Sequence, residues 1–162
     1  MFGYIGRCDI PLATVQSFFD DFFNKTHPDF ILYLGDNPAH NTWQQEKDTH
    51  LRGLKEVTAE IKKRFKGPVY PVLGNHEGIP CDQFDFENPN THSWIFKDSL
   101  EVWKDWFTPE SRESYLKNGC YSQLFKDTKL RILALNPFVA LNDNRYSWGN
   151  QTDLMGVVIK GA

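Results

Sequence analysis

Two short polar motifs in the sequence each follow an apolar run. The run at residues 30–34 is followed by GDNPAH at residues 35–40, and the run at residues 69–73 is followed by GNHE at residues 74–77. An aspartate can bridge two cations through its oxygens, whereas an asparagine carbonyl and an imidazole suit zinc, manganese or iron. Two such cations about 3.5–4 Å apart can generate hydroxide and clamp a phosphoryl group. The two motifs are therefore candidates for one two-metal site.

The first motif is expected to follow a helix and a short strand. Apolar side chains recur at spacings of three and four after Pro11, which predicts a helix that ends near Asn24: Val15, Phe18, Phe19, Phe22 and Phe23. Residues 30–34 are continuously apolar, which is typical of a strand buried on both faces. Asp36 would then lie at the carboxyl end of this strand.

The second motif is expected to follow a long helix and a second strand. Residues 42–65 carry apolar side chains at helical spacing, which predicts one amphipathic helix. Residues 69–73 are predicted to form a strand, in which Pro71 indicates an edge position or a local irregularity. The order strand, helix, strand predicts a βαβ unit. Because open α/β sheets bind ligands beyond the carboxyl ends of their strands, the two motifs are expected to converge on one crevice.

The second half of the chain is predicted to contain further helices and a hairpin. Residues 78–92 are rich in Pro, Asn and Asp and are predicted to form a long loop. Aromatic residues at helical spacing then predict a helix that faces the core rather than a lipid: Trp94, Phe96, Trp103, Trp106 and Phe107. Helical turns are predicted on residues 109–116, and a hairpin is predicted from residues 120–125 and 130–135.

Length and composition limit the class of protein. The chain has 162 residues, of which 40% are hydrophobic and 15% aromatic, so one domain or part of one is expected. The net charge is -3 and the Lys and Arg residues are dispersed, so no nucleic-acid partner is expected. No apolar run approaches the about 20 residues that cross a bilayer, so no transmembrane segment is expected, and residues 1–4 do not resemble a signal peptide.

Ordinary structural roles could explain the same polar residues. A Gly-Asp or Gly-Asn pair after a strand is more often a plain turn. Asp36 could cap the segment that follows Pro38, and Asn75 and His76 could form a turn. His40 could be a loop histidine exposed to water. The residue types alone therefore give a site hypothesis and no function.

The combination of GDNPAH and GNHE resembles the calcineurin-like metallophosphoesterases, specifically the acid sphingomyelinase family. The resemblance extends from about Gly3 to Asp153 and includes CDIPL at residues 8–12 and VYPV at residues 69–72. It implies an α/β fold that is the N-terminal part of a β-sandwich flanked by helices, an incomplete four-layer αββα arrangement. It also implies a partial catalytic domain at residues 1–153 and a divergent tail at residues 154–162.

The resemblance implies roles for four residues. Asp36 would bridge two zinc ions, and Asn75 would bind one of them. His76 and His40 would act near the phosphate and the leaving-group oxygen. The implied reaction is in-line attack of metal-bound hydroxide on a phosphodiester, with an imidazolium protonating the departing alkoxide. In the family this reaction releases phosphocholine from sphingomyelin, and a protonated histidine suits acidic pH.

Part of the family's metal site has no counterpart in this sequence. The family also uses an Asp-x-His motif upstream and, downstream, a His and a Gly-His-x-His motif, and His27, His50 and His92 match none of them. Two ligands cannot hold a two-metal centre with useful affinity, because affinity depends on the full ligand set. We therefore expect a fragment of a larger enzyme that is catalytically inactive alone.

The resemblance also bears on the cellular compartment. The parent protein is expected to be secreted or lysosomal, and the sequons at Asn24 and Asn150 are candidate sites for N-glycans. By the resemblance, Cys8 would pair with a cysteine upstream of this chain. Cys81 and Cys120 have no such counterpart and could pair with each other if their geometry permits.

Three functions agree with these observations. The leading hypothesis is an enzyme fragment whose parent hydrolyses sphingomyelin or a related phosphorylated substrate. A second is a short protein that keeps half of the fold as a non-catalytic binding or decoy module. A third is a relative that acts on nucleotides or other phosphodiesters, because members of the family share the metal site and differ in their substrate pockets.

Overall fold

The computed structural model of the chain describes Gly6, residues 8–85 and residues 89–148, with the backbone alone for residues 89–93 and Val139. The described residues form four α-helices and two small sheets. In chain order the elements are α1 (Leu12–Lys25), β1 (Ile31–Tyr33), α2 (Lys47–Arg64), β2 (Val69–Pro71), α3 (Pro89–Trp103), α4 (Pro109–Asn118), β3 (Tyr121–Leu124) and β4 (Arg131–Ala134). The predicted tail at residues 154–162 and the sequon at Asn150 lie outside the described residues.

The first sheet is a parallel pair, and α2 connects its two strands. Ile31 is opposite Val69 and Tyr33 is opposite Pro71, and the N–H of Val72 donates to the Tyr33 carbonyl at 2.8 Å. This confirms the predicted βαβ unit. All three residues of β2 are buried, and the strand ends at Pro71, two residues earlier than predicted.

The prediction that the first strand is buried on both faces is wrong. Leu32 in β1 is 55% exposed, and Leu34 just beyond it is 70% exposed, whereas Ile31 and Tyr33 are half-buried. Successive side chains of a strand point to opposite faces, and at β1 the face that carries Leu32 is left exposed by the other described residues. A continuous apolar run therefore does not show how many of a strand's faces are covered.

Two helices begin at residues other than those predicted. The predicted helix from Thr42 starts only at Lys47, because a 3-10 turn at Thr42–Gln44 is followed by extended backbone at Gln45 and Glu46. Helix α3 begins at Pro89 rather than near residue 94, so the predicted long loop is shorter. A proline is well accommodated there, because the first turn of a helix requires no N–H from it. Helices α1 and α4 and the antiparallel hairpin of β3 and β4 confirm the predictions for those segments.

The core is rich in aromatic side chains whose polar atoms are hydrogen-bonded. The Trp103 indole N–H donates to the Thr58 hydroxyl at 3.1 Å, and the Tyr121 hydroxyl donates to the Pro71 carbonyl at 3.0 Å. The aromatic residues that were predicted to face the core do so, since Phe96, Trp103 and Phe107 are buried and Trp94 and Trp106 pack against them. Within the described residues, no helix is long and apolar enough to cross a membrane.

The proposed pairing of Cys81 with Cys120 is wrong, because the two are separate free thiols. The sulfur of Cys120 is buried in the core and accepts a hydrogen bond from the N–H of Asn136 at 3.2 Å. The Cys81 thiol instead lies 3.5 Å from a carboxylate oxygen of Asp82. The two cysteines therefore belong to different parts of the fold.

Truncation of a core leucine tests this packing. Leu54 on α2 is 2% exposed, whereas Leu116 on α4 is 42% exposed. We expect Leu54→Ala to lower the free energy of unfolding by about 3 kcal/mol, since it removes buried methyl groups and leaves a cavity. Leu116→Ala, as the matched control, should cost less than about 1 kcal/mol. Urea unfolding followed by tryptophan fluorescence measures both values, and equal losses would contradict the placement of Leu54 in the core.

Candidate active site

The loops after β1 and β2 meet backbone to backbone. A Cβ atom on Gly35 would collide with the backbone N of Gly74, and a Cβ atom on Gly74 would collide with the carboxylate of Asp36. Gly35 also has a φ of +79°, a left-handed conformation that glycine adopts without strain. Both glycines are therefore required for the close approach of the two loops. The contact places the carboxylate of Asp36 beside the second motif, where its Oδ1 accepts from the N–H of His76 at 3.1 Å.

A buried carboxylate, that of Glu77, joins the same two loops. Glu77 is only 2% exposed. Its oxygens accept from the backbone N–H of Gly74 at 2.6 Å and of Asp36 at 3.0 Å, and from the backbone and side-chain N–H groups of Asn37, both at 2.8 Å. Four donors compensate for the lost hydration of the charge. The sequence analysis gave Glu77 no role, although an acidic residue inside the GNHE motif was its signal.

His40 is held by a carboxylate that precedes α1. Asp9 Oδ1 lies 2.6 Å from His40 Nδ1, and Asp9 Oδ2 accepts from the His40 backbone N–H at 3.0 Å. Hydrogen bonds from His40 lower the pKa of Asp9, so Asp9 is ionised and Nδ1 of His40 must carry the hydrogen between them. The His40 side chain is 81% exposed, as expected for a loop histidine, yet Asp9 holds both its ring nitrogen Nδ1 and its backbone N–H. Sequence reasoning gave Asp9 no role, because nothing local relates it to a histidine 31 residues away.

The two histidines that were predicted to act near the phosphate lie side by side. The ring centroids of His40 and His76 are 4.7 Å apart, with the planes inclined at 69°. His76 Nδ1 is buried and has no hydrogen-bond partner among the described residues. The structure therefore brings Asp36, Asn75, His76 and His40 together at the carboxyl ends of β1 and β2, and their roles remain predictions. His92 falls where only the backbone is described.

The oxygen donors of the site fit a divalent cation. Asn75 Nδ2 donates to Asp82 Oδ1 at 2.7 Å, and neither Asn75 Oδ1 nor Asp36 Oδ2 makes a hydrogen bond in the part of the chain that the structure describes. A carboxylate and an amide oxygen are ligands that zinc and manganese accept. Within residues 8–85 and the described part of 89–148, no group of three or more His, Cys, Asp or Glu side chains is placed to hold a metal ion. The two oxygens that remain for a cation here are Asp36 Oδ2 and Asn75 Oδ1.

A buried histidine, His50, lies close to Glu77 of the second motif. His50 on α2 is 4% exposed, and neither ring nitrogen makes a hydrogen bond of good geometry with another described residue. Burial lowers the pKa of His50, and the backbone carbonyl of Glu77 opposes this effect only in part. His50 therefore favours its uncharged form in the folded protein.

Comparison with known proteins decides the family. The family described as calcineurin-like phosphoesterase matches residues 8–154. The chain belongs to the calcineurin-like phosphoesterase family. It is 35% identical to a sphingomyelin phosphodiesterase of Bos taurus and 32% identical to one of Homo sapiens, in each case over 95% of this chain and 25% of the relative. It is also 30% identical to a cyclic GMP-AMP phosphodiesterase of Bos taurus, over 90% of this chain and 32% of that relative. The chain thus spans about a quarter of the length of the sphingomyelin phosphodiesterases it matches.

Neutralisation of the Glu77 carboxylate tests its role between the loops. In Glu77→Gln an amide N–H₂ group replaces one acceptor and faces backbone donors, so we expect the free energy of unfolding to fall by about 3 kcal/mol. Glu113→Gln is the control, because Glu113 is 79% exposed and its distance to Lys117 is 3.6 Å. That change should cost less than about 1 kcal/mol. Urea unfolding of both variants gives the comparison, and a loss in Glu77→Gln no larger than in the control would count against the interaction.

The lowered pKa of His50 predicts a loss of stability in acid. The unfolded chain takes up a proton at the ordinary pKa of about 6.5, whereas the folded protein does so only at lower pH. The stabilising effect of the neutral ring is therefore complete above about pH 6.5 and decreases as the pH falls below that value. We expect His50→Asn to weaken the decrease in unfolding free energy between pH 7.5 and pH 5. The exposed His27→Asn should leave it unchanged, and an identical decrease in wild type and His50→Asn would contradict the prediction.

Proposed function

We propose that the protein is a metal-dependent phosphodiester hydrolase of the sphingomyelin phosphodiesterase type, and that this chain carries part of its active site. One observation carries the proposal. In a chain of the calcineurin-like phosphoesterase family, Asp36, Asn75, His76 and His40 converge at one end of a parallel strand pair. The names of the relatives support a phosphodiester as the substrate class and sphingomyelin as its first candidate.

The metal ligands in this proposal are Asp36 and Asn75, which would hold zinc through a carboxylate oxygen and an amide oxygen. Bound divalent cations would lower the pKa of a water molecule and neutralise the charge on the phosphodiester. The chain itself positions this ligand, because the Asp36 carboxylate accepts from the N–H of His76 and lies against the backbone of Gly74. His76 follows the proposed ligand Asn75 directly, and its ring contacts that of His40, the proposed proton donor. We propose that His76 binds the phosphate between these two groups.

His40 is the proposed proton donor to the leaving group. Its Nδ1 is occupied by Asp9, so Nε2 is the ring nitrogen that remains for proton transfer to the departing oxygen. Because the Asp9 carboxylate also accepts from the His40 backbone N–H, the ring cannot turn without breaking its hydrogen bond to a carboxylate that the backbone holds in place. A reaction that begins with a protonated imidazole would be favoured by mildly acidic pH.

The wider architecture is part of the same proposal. We propose that residues 1–153 are the beginning of a β-sandwich flanked by helices, followed by a divergent tail at residues 154–162. The sphingomyelin phosphodiesterases are about four times as long as the segment that this chain matches. We propose that the remaining metal ligands of the protein correspond to positions in the unmatched three quarters of those relatives. A secreted or lysosomal protein would carry N-glycans at Asn24, which is exposed in the last turn of α1, and at Asn150.

A nucleotide phosphodiester is the second candidate substrate. The observation that favours it is the similarity to a protein named cyclic GMP-AMP phosphodiesterase. Both substrates need the same cleavage of a phosphorus–oxygen bond, so the residues assigned above would have the same roles. The two differ in the group attached to the phosphate, and hydrolysis of sphingomyelin and of a cyclic dinucleotide by the enzyme would distinguish them.

Metal content and activity test the proposal together. With two ligands, we expect the 162-residue chain to bind zinc weakly and to show no turnover of a chromogenic phosphodiester at pH 5. Asp36→Asn should weaken zinc binding by a further factor of about 10 or more, because it removes the charged ligand of the proposed site. Elemental analysis after equilibrium dialysis gives the metal content.

The matched control for this experiment is Asp127→Asn. Asp36 and Asp127 have φ values of +58° and +59°, a conformation that asparagine tolerates, and Asp127 lies in the hairpin turn between β3 and β4. Near-stoichiometric zinc with turnover would contradict the assignment of a partial site. Equal zinc binding by Asp36→Asn and wild type would show that Asp36 is not a zinc ligand and would favour a non-catalytic binding module.

A further inference from the structure

Asp82 lies outside both motifs but is bonded to one of the proposed metal ligands. The backbone N–H of Asp82 donates to the Asn75 carbonyl at 3.0 Å. The side chains are joined as well, because Asn75 Nδ2 donates to Asp82 Oδ1 at 2.7 Å. Two hydrogen bonds therefore connect the same pair of residues, one through the backbone and one through the side chains.

We propose that Asp82 is a positioning residue that fixes the side-chain amide of Asn75 so that Oδ1 is presented to a divalent cation. The two ends of an asparagine amide have nearly the same shape, so packing alone does not determine which end faces a cation. An ionised carboxylate only accepts hydrogen bonds, so it selects the orientation in which Nδ2 faces Asp82. The proposal rests on the proposed function, because it assigns a support to one of its metal ligands.

The Asp82 carboxylate is itself held in place. Its second oxygen, Oδ2, lies 3.5 Å from the thiol of Cys81. The next residue, Gln83, donates through Nε2 to the Asp143 carbonyl at 2.7 Å and accepts through Oε1 from the N–H of Arg145 at 2.9 Å. The loop that carries Asp82 is thus bound to a segment some sixty residues further along the chain. This anchoring allows Asp82 to hold the amide of Asn75 in one orientation.

The residue type at position 82 agrees with this role. Asp82 has a φ of +66°, in the left-handed region that aspartate, asparagine and glycine tolerate best. Asn75 Oδ1 makes no hydrogen bond to any other described residue, so the orientation selected by Asp82 leaves this oxygen free as a ligand. Groups that orient a ligand in this way typically change metal affinity by a factor of about 10–100 when they are removed.

The experiment compares Asp82→Gly with Asp127→Gly in the 162-residue chain. Glycine accepts the positive φ at both positions, and each change removes one carboxylate, so the two variants differ in whether Asn75 loses its partner. Two NMR measurements are made. The first follows the side-chain NH₂ signal of Asn75 and its hydrogen exchange without metal. The second titrates Mn²⁺ and follows the broadening of the backbone amide signals of Asp36 and His76.

We expect Asp82→Gly to move the Asn75 side-chain signal and accelerate its exchange, and to weaken Mn²⁺ binding by a factor of about 10 or more. Asp127→Gly should leave both properties within about twofold of wild type. In Asp82→Asn the new amide oxygen can accept from Asn75 Nδ2, so we expect a smaller loss of Mn²⁺ affinity than in Asp82→Gly.

The outcomes separate this inference from the proposed function. Wild-type Mn²⁺ affinity together with an unchanged Asn75 signal in Asp82→Gly would overturn the positioning role. A wild-type chain in which Mn²⁺ broadens neither Asp36 nor His76 would instead count against the metal site itself. In that case the metal-free signal of Asn75 still decides whether Asp82 orients the amide, because this measurement needs no cation.

Discussion

The carboxylate of Glu77 is the group that joins the two loops of the candidate site. It is buried, and a buried charge costs free energy unless hydrogen bonds replace its hydration. Its donors belong to Asp36, Asn37 and Gly74, so they come from both loops. The carboxylate therefore has all of its hydrogen bonds only when the two loops are in contact. The glycines permit the close approach, and the carboxylate makes that approach favourable. Asp36 and His76 are therefore placed by a residue that was assigned no chemistry of its own.

Local patterns in the sequence predicted most of the elements and the convergence of the site. The spacing of apolar residues identified α1, α2 and most of α3, and the segments at residues 120–125 and 130–135 identified the hairpin. The meeting of Asp36 with His76 followed from one rule of topology, that parallel strands joined by a helix end at the same edge of their sheet. These predictions depended only on periodicity and on chain order, which a single sequence contains.

The rest depended on contacts that a single sequence does not reveal. The exposure of Leu32 is decided by which elements cover the sheet, and the apolar character of the residue does not indicate this. Asp9 and Asp82 support His40 and Asn75 only through loop conformations that bring their carboxylates within hydrogen-bond distance. A sequence pattern identifies residues that bind a ligand more readily than the residues that support them. The supporting residues are recognised by their distance in the folded structure, and their residue types alone do not mark them.

The bonds that shape the site also span long stretches of chain. Glu77 and Asp36 are 41 residues apart, and Asp9 and His40 are 31 residues apart. Bringing such distant residues together costs chain entropy, and this cost is smaller when other contacts have already closed the intervening chain. Pairing of β1 with β2 supplies that closure for Glu77. The hydrogen bonds of Glu77 and the pairing of β1 with β2 therefore require the same closed chain, so an intact site implies that the two strands are paired.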